Sequence, residues 1–212
     1  EDTAISEDYF GPQYELHGGG LDLKFPHHEA EIAQQEAASG RKPFVKIWMH
    51  AGMLTAGGQK MSKSLGSFIT IRNFLKNHSL EALRLAFFGY HYRSPADYSE
   101  KLIKDAERSL AGLTEFFTKL DFLRTAKVAG SAAPAAGGKQ VADISAYKKQ
   151  FDESLKEDIN LPEALASVFR LANDLNPKLW NLDKKSAVAA QKHLMSSLSL
   201  FGIGLKLPKI PR

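Results

Sequence analysis

Along residues 1–76, apolar positions come in short runs broken by glycine and proline. Tyr14-Glu15-Leu16-His17 predicts a short strand that stops at Gly18-Gly19-Gly20. Pro26 suits the first turn of a helix, where no amide donor is required, so a helix is expected from about Pro26 to Ser39. Gly40 is its natural stop. Phe44 to Leu54 predicts a buried strand, and Thr55-Ala56-Gly57-Gly58 the turn after it. Strand, helix and strand in that order predict part of a parallel α/β layer.

From Ile71 onward the apolar period becomes that of a helix. Leu80, Leu83, Phe87 and Phe88 share one face of a helix that Ser79 can cap. A second helix is expected from Ser99 to about Thr125, with Leu102, Ile103, Leu110, Leu113, Phe117 and Leu120 on its inner face. Residues 128–142 are rich in Ala, Gly, Ser and Pro and read as a linker. Amphipathic helices follow at roughly 143–158, 162–175 and 186–200. The fold class expected is α/β followed by an all-α, antiparallel helical bundle. The segments expected are 1–76, 77–127, 128–142 and 143–212.

Composition narrows the chemistry. With 212 residues, 43% of them hydrophobic, the chain can bury a core. It has no cysteine, so neither disulfides nor thiolate metal sites come from it. No apolar run approaches the roughly 20 residues that cross a bilayer, and no signal peptide opens the chain, so a cytoplasmic protein without membrane contact is expected. Charge is unevenly placed. Glu1 to Glu36 carries nine acids against the single base Lys24, whereas Ala37 to Leu80 carries seven bases and no acid. Such a split suits a site that handles a cation or amine beside a polyanion.

The basic window contains Lys60-Met61-Ser62-Lys63-Ser64 after Gly57-Gly58. Lysines supply point charges, hydroxyls supply short donors, and glycines let the backbone close over a ligand, which is what a polyphosphate needs. Lys-Ser-rich turns also occur simply as solvated loops. Gly18, Gly19 and Gly20 with Asp22 fall where a strand should end, the edge at which open α/β sheets bind ligands. His27 and Glu31 stand one helical turn apart and can chelate a metal if other ligands join them. A surface face of acids and imidazoles is the plainer alternative.

These residues carry a resemblance. The run His17 to Glu29, with Trp48 to Leu54, Lys60 to Phe68, Glu81 to Arg84, His91 to Ser99 and Asp158 to Pro162, resembles the cysteinyl-tRNA synthetases, class I aminoacyl-tRNA synthetases, in order and spacing. The resemblance implies a Rossmann-like catalytic domain over 1–76, stem-contacting helices over 77–127, and a helical tRNA-binding domain over 143–212. It implies activation of cysteine by ATP, with Mg, followed by transfer to tRNA(Cys). Lys60 and Lys63 would be catalytic, and Lys60, Ser62, Lys63 and Ser64 with Gly18, Gly19 and Asp22 would bind ATP. His27 and Glu31 would be ligands of a zinc ion that recognises the substrate thiolate. Arg84, Arg93 and Lys101 would contact tRNA.

The chain also departs from that family. Asp2 stands where the family has a cysteine zinc ligand, which implies a harder site or none. The N-terminal half of the nucleotide-binding fold, with its His-x-Gly-His signature, is not in this sequence, so the chain alone is expected to be incomplete for catalysis. Two alternatives share several of these motifs: a cysteine–amino-sugar ligase of mycothiol synthesis, and a non-catalytic tRNA-binding paralogue.

Overall fold

The computed structural model describes residues 2–60, 69–125 and 141–205. They form two compact units, one from residues 1–67 with 92–98, the other from 68–91 with 99–212. Ser62, Lys63 and Ser64, and most of the 128–142 segment, lie outside the described residues.

The first unit starts with α1 (Asp2–Phe10), followed by β1 (Tyr14–Gly20), a 3-10 turn (Leu21–Leu23), a π turn (Lys24–His28) and α2 (Glu29–Ser39). β2 (Val45–Ala51) then lies parallel to β1, with Leu16 opposite Ile47, His17 opposite Trp48 and Gly19 opposite His50. The glycines therefore extend β1 instead of ending it at His17, because their amides and carbonyls belong to the ladder with Met49–Ala51. The helix begins later than Pro26. Phe25 is extended at φ −141°, ψ 134°, which interrupts helical geometry just ahead of the proline. Gly40 ends α2 in the left-handed conformation at φ 69°, as expected.

The single strand expected over Phe44–Leu54 is two strands. After Ala51 the chain turns, the Gly52 amide donates to the Tyr92 carbonyl, and β3 (Leu54–Ala56) joins a different sheet. β3 pairs antiparallel with β4 (Gln59–Lys60) and parallel with β5 (Ala96–Tyr98). Gly57 and Gly58 both have positive φ, 61° and 76°, which is what a two-residue hairpin turn of the primed type requires. Asp97 holds this turn from β5. Its Oδ1 accepts from the Thr55 hydroxyl at 2.6 Å and from the Gly58 amide at 2.9 Å, and these bonds keep its carboxyl below the usual range.

The second unit is helical. It contains α3 (Ile71–Phe74), α4 (Leu80–Phe88), α5 (Glu100–Thr125), α6 (Ser145–Lys156), α7 (Leu161–Leu175) and α8 (Lys184–Leu200). Caps fix the starts. Ser79 Oγ accepts from the Ala82 amide at 3.1 Å, Ser99 Oγ from Leu102 at 3.2 Å, and Asn160 Oδ1 from Glu163 at 3.2 Å. The fully buried side chains Ile103, Phe117, Leu120, Val168, Leu171, Leu194 and Leu198 form its core. Between α6 and α7, Asp158 and Ile159 take left-handed φ of 52° and 54°. For β-branched Ile159 that conformation costs roughly 1–2 kcal/mol, which the surrounding helices must offset.

Candidate functional site

The carboxyl end of β1 and the start of α2 bring a set of aromatic rings together, most of them imidazoles. β1 contributes His17, β2 contributes Trp48 and His50, and the turn before α2 contributes His27 and His28. His17 stacks on Trp48 with ring centroids 4.8 Å apart and meets His28 edge-on at 4.9 Å. His28 Nδ1 lies 2.8 Å from His50 Nε2, and the Tyr14 hydroxyl 2.6 Å from His17 Nδ1. Gly19 makes room for this arrangement. A Cβ on it would come 2.7 Å from His28 Cε1 and 3.2 Å from Leu23 Cδ1. Burial, followed by the nearby His17, pushes the His28 imidazole below its ordinary value, so it is held neutral. Burial pushes the Tyr14 phenol up.

Glu31, on the first turn of α2, sits at the centre and is buried. Its two oxygens face different partners. Oε1 lies 3.7 Å from His27 Nε2, and Oε2 lies 3.6 Å from His17 Nε2. Oε2 is buried without a hydrogen bond. Asp2, at the start of α1, brings Oδ2 to 3.3 Å from His27 Nε2. Two triads of donor atoms result, each within 4.8 Å: Asp2, His27 and Glu31 on the outside, and His17, His28 and Glu31 within. The i, i+4 spacing of His27 and Glu31 foretells their proximity. His17, His28 and His50 are not legible as a group, because a parallel pairing across 22 or more residues assembles them. The signal available in the sequence is histidine density at both predicted strand ends.

The other candidate residues are placed as follows. Gly18 and Gly19 are at the end of β1, and the Asp22 carboxylate folds back over Gly20, where a Cβ would meet Oδ1 at 2.5 Å. Lys60 ends β4 of the glycine-turned hairpin. Arg84 donates to the Gly202 carbonyl, Lys101 pairs with Asp105 at 2.9 Å, and the Arg93 guanidinium carbon lies 5.2 Å from the centre of the Tyr92 ring.

A parallel strand pair whose glycine-lined end faces a helix with imidazole and carboxylate donors defines an α/β domain with a candidate site at the carboxyl edge of the sheet. A family model described as tRNA synthetases class I (C) catalytic domain matches residues 1–108, and a DALR domain model matches residues 150–206. The chain belongs to the family of class I (C) tRNA synthetase catalytic domains.

Among its relatives, a Thermoplasma acidophilum protein named cysteine–tRNA ligase is 41% identical over 193 residues, covering 91% of this chain and 39% of the relative. A Pseudomonas aeruginosa protein of the same name is 39% identical over 203 residues, covering 96% and 40%. The chain thus spans about two fifths of the length of the curated relatives it matches. The crystal structure of an Agrobacterium radiobacter LeuRS–tRNA–LeuAMS ternary complex is similar in fold, with a TM-score of 0.70 at 17% identity, covering 90% of this chain and 25% of that one. These likenesses favour neither the amino-sugar ligase nor the non-catalytic paralogue.

Proposed function

We propose that this chain is part of a cysteine–tRNA ligase, which activates cysteine with ATP and Mg and transfers the aminoacyl group to tRNA(Cys). The observation that carries the reading is the meeting of the glycine-lined end of β1 with the Glu31-centred cluster, in a chain about 40% identical to proteins of that name. Gly18, Gly19 and Asp22 would hold the adenosine portion at the sheet edge. Lys60, which ends β4, would grip the phosphates together with Ser62, Lys63 and Ser64, which follow it in the sequence. Lysine charge that closes on the leaving pyrophosphate stabilises the transition state more than the ground state, and this is how Lys60 and Lys63 would act as catalytic residues.

Asp2, His27 and Glu31 would hold a zinc ion: their donor atoms lie within 4.8 Å of one another, with Asp2 Oδ2 3.3 Å and Glu31 Oε1 3.7 Å from His27 Nε2, and an imidazole with carboxylates is a donor set that zinc accepts. Zinc would supply a thiophilic Lewis acid that favours a thiol over a hydroxyl substrate. With aspartate as a ligand, the site is harder than one built on cysteine, and its zinc is held more weakly. Arg84, Arg93 and Lys101 would add contacts to tRNA, in the cytoplasm; no described helix is long and apolar enough to cross a membrane.

Cysteine-dependent exchange of pyrophosphate into ATP by the full-length protein, followed by charging of tRNA(Cys), tests the proposal. Absence of exchange alongside intact tRNA binding would overturn it.

A further inference from the structure

The inner half of the Glu31 cluster holds donors that the proposed zinc ligands leave unused. We propose that His17, His28 and Glu31 form a second divalent-metal site, built from two imidazoles and one carboxylate and sharing Glu31 with the Asp2–His27 side.

The donor atoms lie within 4.8 Å of one another, close enough for small side-chain shifts to bring them around one ion. The site is enclosed: Glu31 is 5% exposed and His28 is 3% exposed. Glu31 Oε2, the oxygen on the His17 side, is the one that lacks a hydrogen bond. Leaving such an oxygen unpaired in a buried setting is unfavourable by roughly 1–3 kcal/mol, and more when it is charged. A bound cation removes that deficit.

The histidines are arranged as ligands are. A metal-bound imidazole uses its second nitrogen in a hydrogen bond that fixes the ring. The Tyr14 hydroxyl takes this part at His17 Nδ1, and His50 at His28 Nδ1. Each leaves an Nε2 to offer to an ion, and His17 Nε2 is the nitrogen that faces Glu31. Gly19 secures the space for the His28 ring. Two imidazoles with one carboxylate, and positions left for solvent or substrate, suit borderline ions such as zinc or cobalt(II). Tyr14 and His50 are then positioning residues, acting through the rings they hold. The inference shares with the proposed function only the assignment of Glu31 as a metal-facing carboxylate, and it does not require the ligase chemistry.

The test uses the full-length protein carrying Asp2→Asn and His27→Gln together, which removes the outer donors and keeps the inner ones. Calorimetric titration with cobalt(II) and zinc is expected to show one equivalent bound, and X-ray absorption of the zinc form is expected to count two imidazoles. Adding His17→Gln is expected to weaken binding at least tenfold. A double variant that binds no ion, or binds one with a single imidazole, overturns the inner site. If the triple variant does not fold, as judged by circular dichroism, the imidazole count in the double variant decides. Cysteine-dependent pyrophosphate exchange by the unaltered protein judges the ligase reading separately, so the two failures are distinguishable.

Discussion

His28 occupies the space that a side chain on Gly19 would need, its Cε1 standing 2.7 Å from where a Cβ would lie. The ring cannot simply move aside, because His50 holds its other side at 2.8 Å and Trp48 lies against it. Gly19→Ala is therefore expected to destabilise the first unit by about 1–3 kcal/mol, the usual range for overpacking. Urea titration followed by the fluorescence of Trp48 measures it, and an unchanged midpoint would show that the ring yields freely.

The outer donors make a prediction about metal retention. Exchanging the exposed Asp2 for a thiolate gives zinc a softer ligand, so Asp2→Cys is expected to raise zinc affinity at least tenfold in competition with a chromogenic chelator. Equal retention by both proteins would remove Asp2 from the ligand set.

Lys63→Ala in the full-length protein is expected to lower the rate of adenylate formation at least tenfold, about 1.4 kcal/mol of transition-state stabilisation. Pyrophosphate exchange at saturating ATP reads the chemical step, and an undiminished rate would detach this loop from catalysis.

Burial, and then the nearby Lys148, push the buried His193 of α8 below its ordinary value, while Asp152 opposes them. The folded state therefore holds His193 neutral where the unfolded chain takes up a proton. Its contribution to stability is complete above the unfolded value of about 6.5 and is lost as pH falls below it. Urea midpoints at about pH 7.5 and 5.5 are expected to differ less in His193→Gln than in the unaltered protein. Equal differences would mean that the ring takes up its proton within the fold.

The starts of α4 and α5 were plain in the sequence, because a hydroxyl ahead of an apolar face has one local use, whereas the start of α2 was not. Ser79 caps as expected, and Ser99, where the second helix was expected to begin, caps α5. Ser79→Ala is expected to cost about 1 kcal/mol, seen as a lower thermal midpoint, whereas Ser79→Asp preserves the cap and the midpoint.

What was not legible depends on pairings distant in sequence. Phe44–Leu54 reads as one apolar strand, and nothing local marks Gly52 as the point where it leaves β1 and turns toward Tyr92. The cause is steric: a Cβ on Gly52 would come 2.1 Å from the Ser94 carbonyl oxygen, and Ser94 is far along the chain. The proximity of His27 and Glu31 was legible through helical spacing, whereas Asp2 came into view only through the family resemblance, which places a cysteine ligand at its position. The inner partners of Glu31 were hidden because β1–β2 register, and not sequence proximity, sets His17 and His50 beside His28.

β5 has a practical consequence for dissecting this molecule. The first unit is discontinuous, since Ala96–Tyr98 is the parallel neighbour of Leu54–Ala56 and Asp97 grasps the glycine turn of the hairpin. Cutting the gene anywhere between codons 68 and 91 would strip β3 of one edge and free the base of the lysine hairpin. An isolable version of that half must carry residues 92–98 grafted on by a short tether.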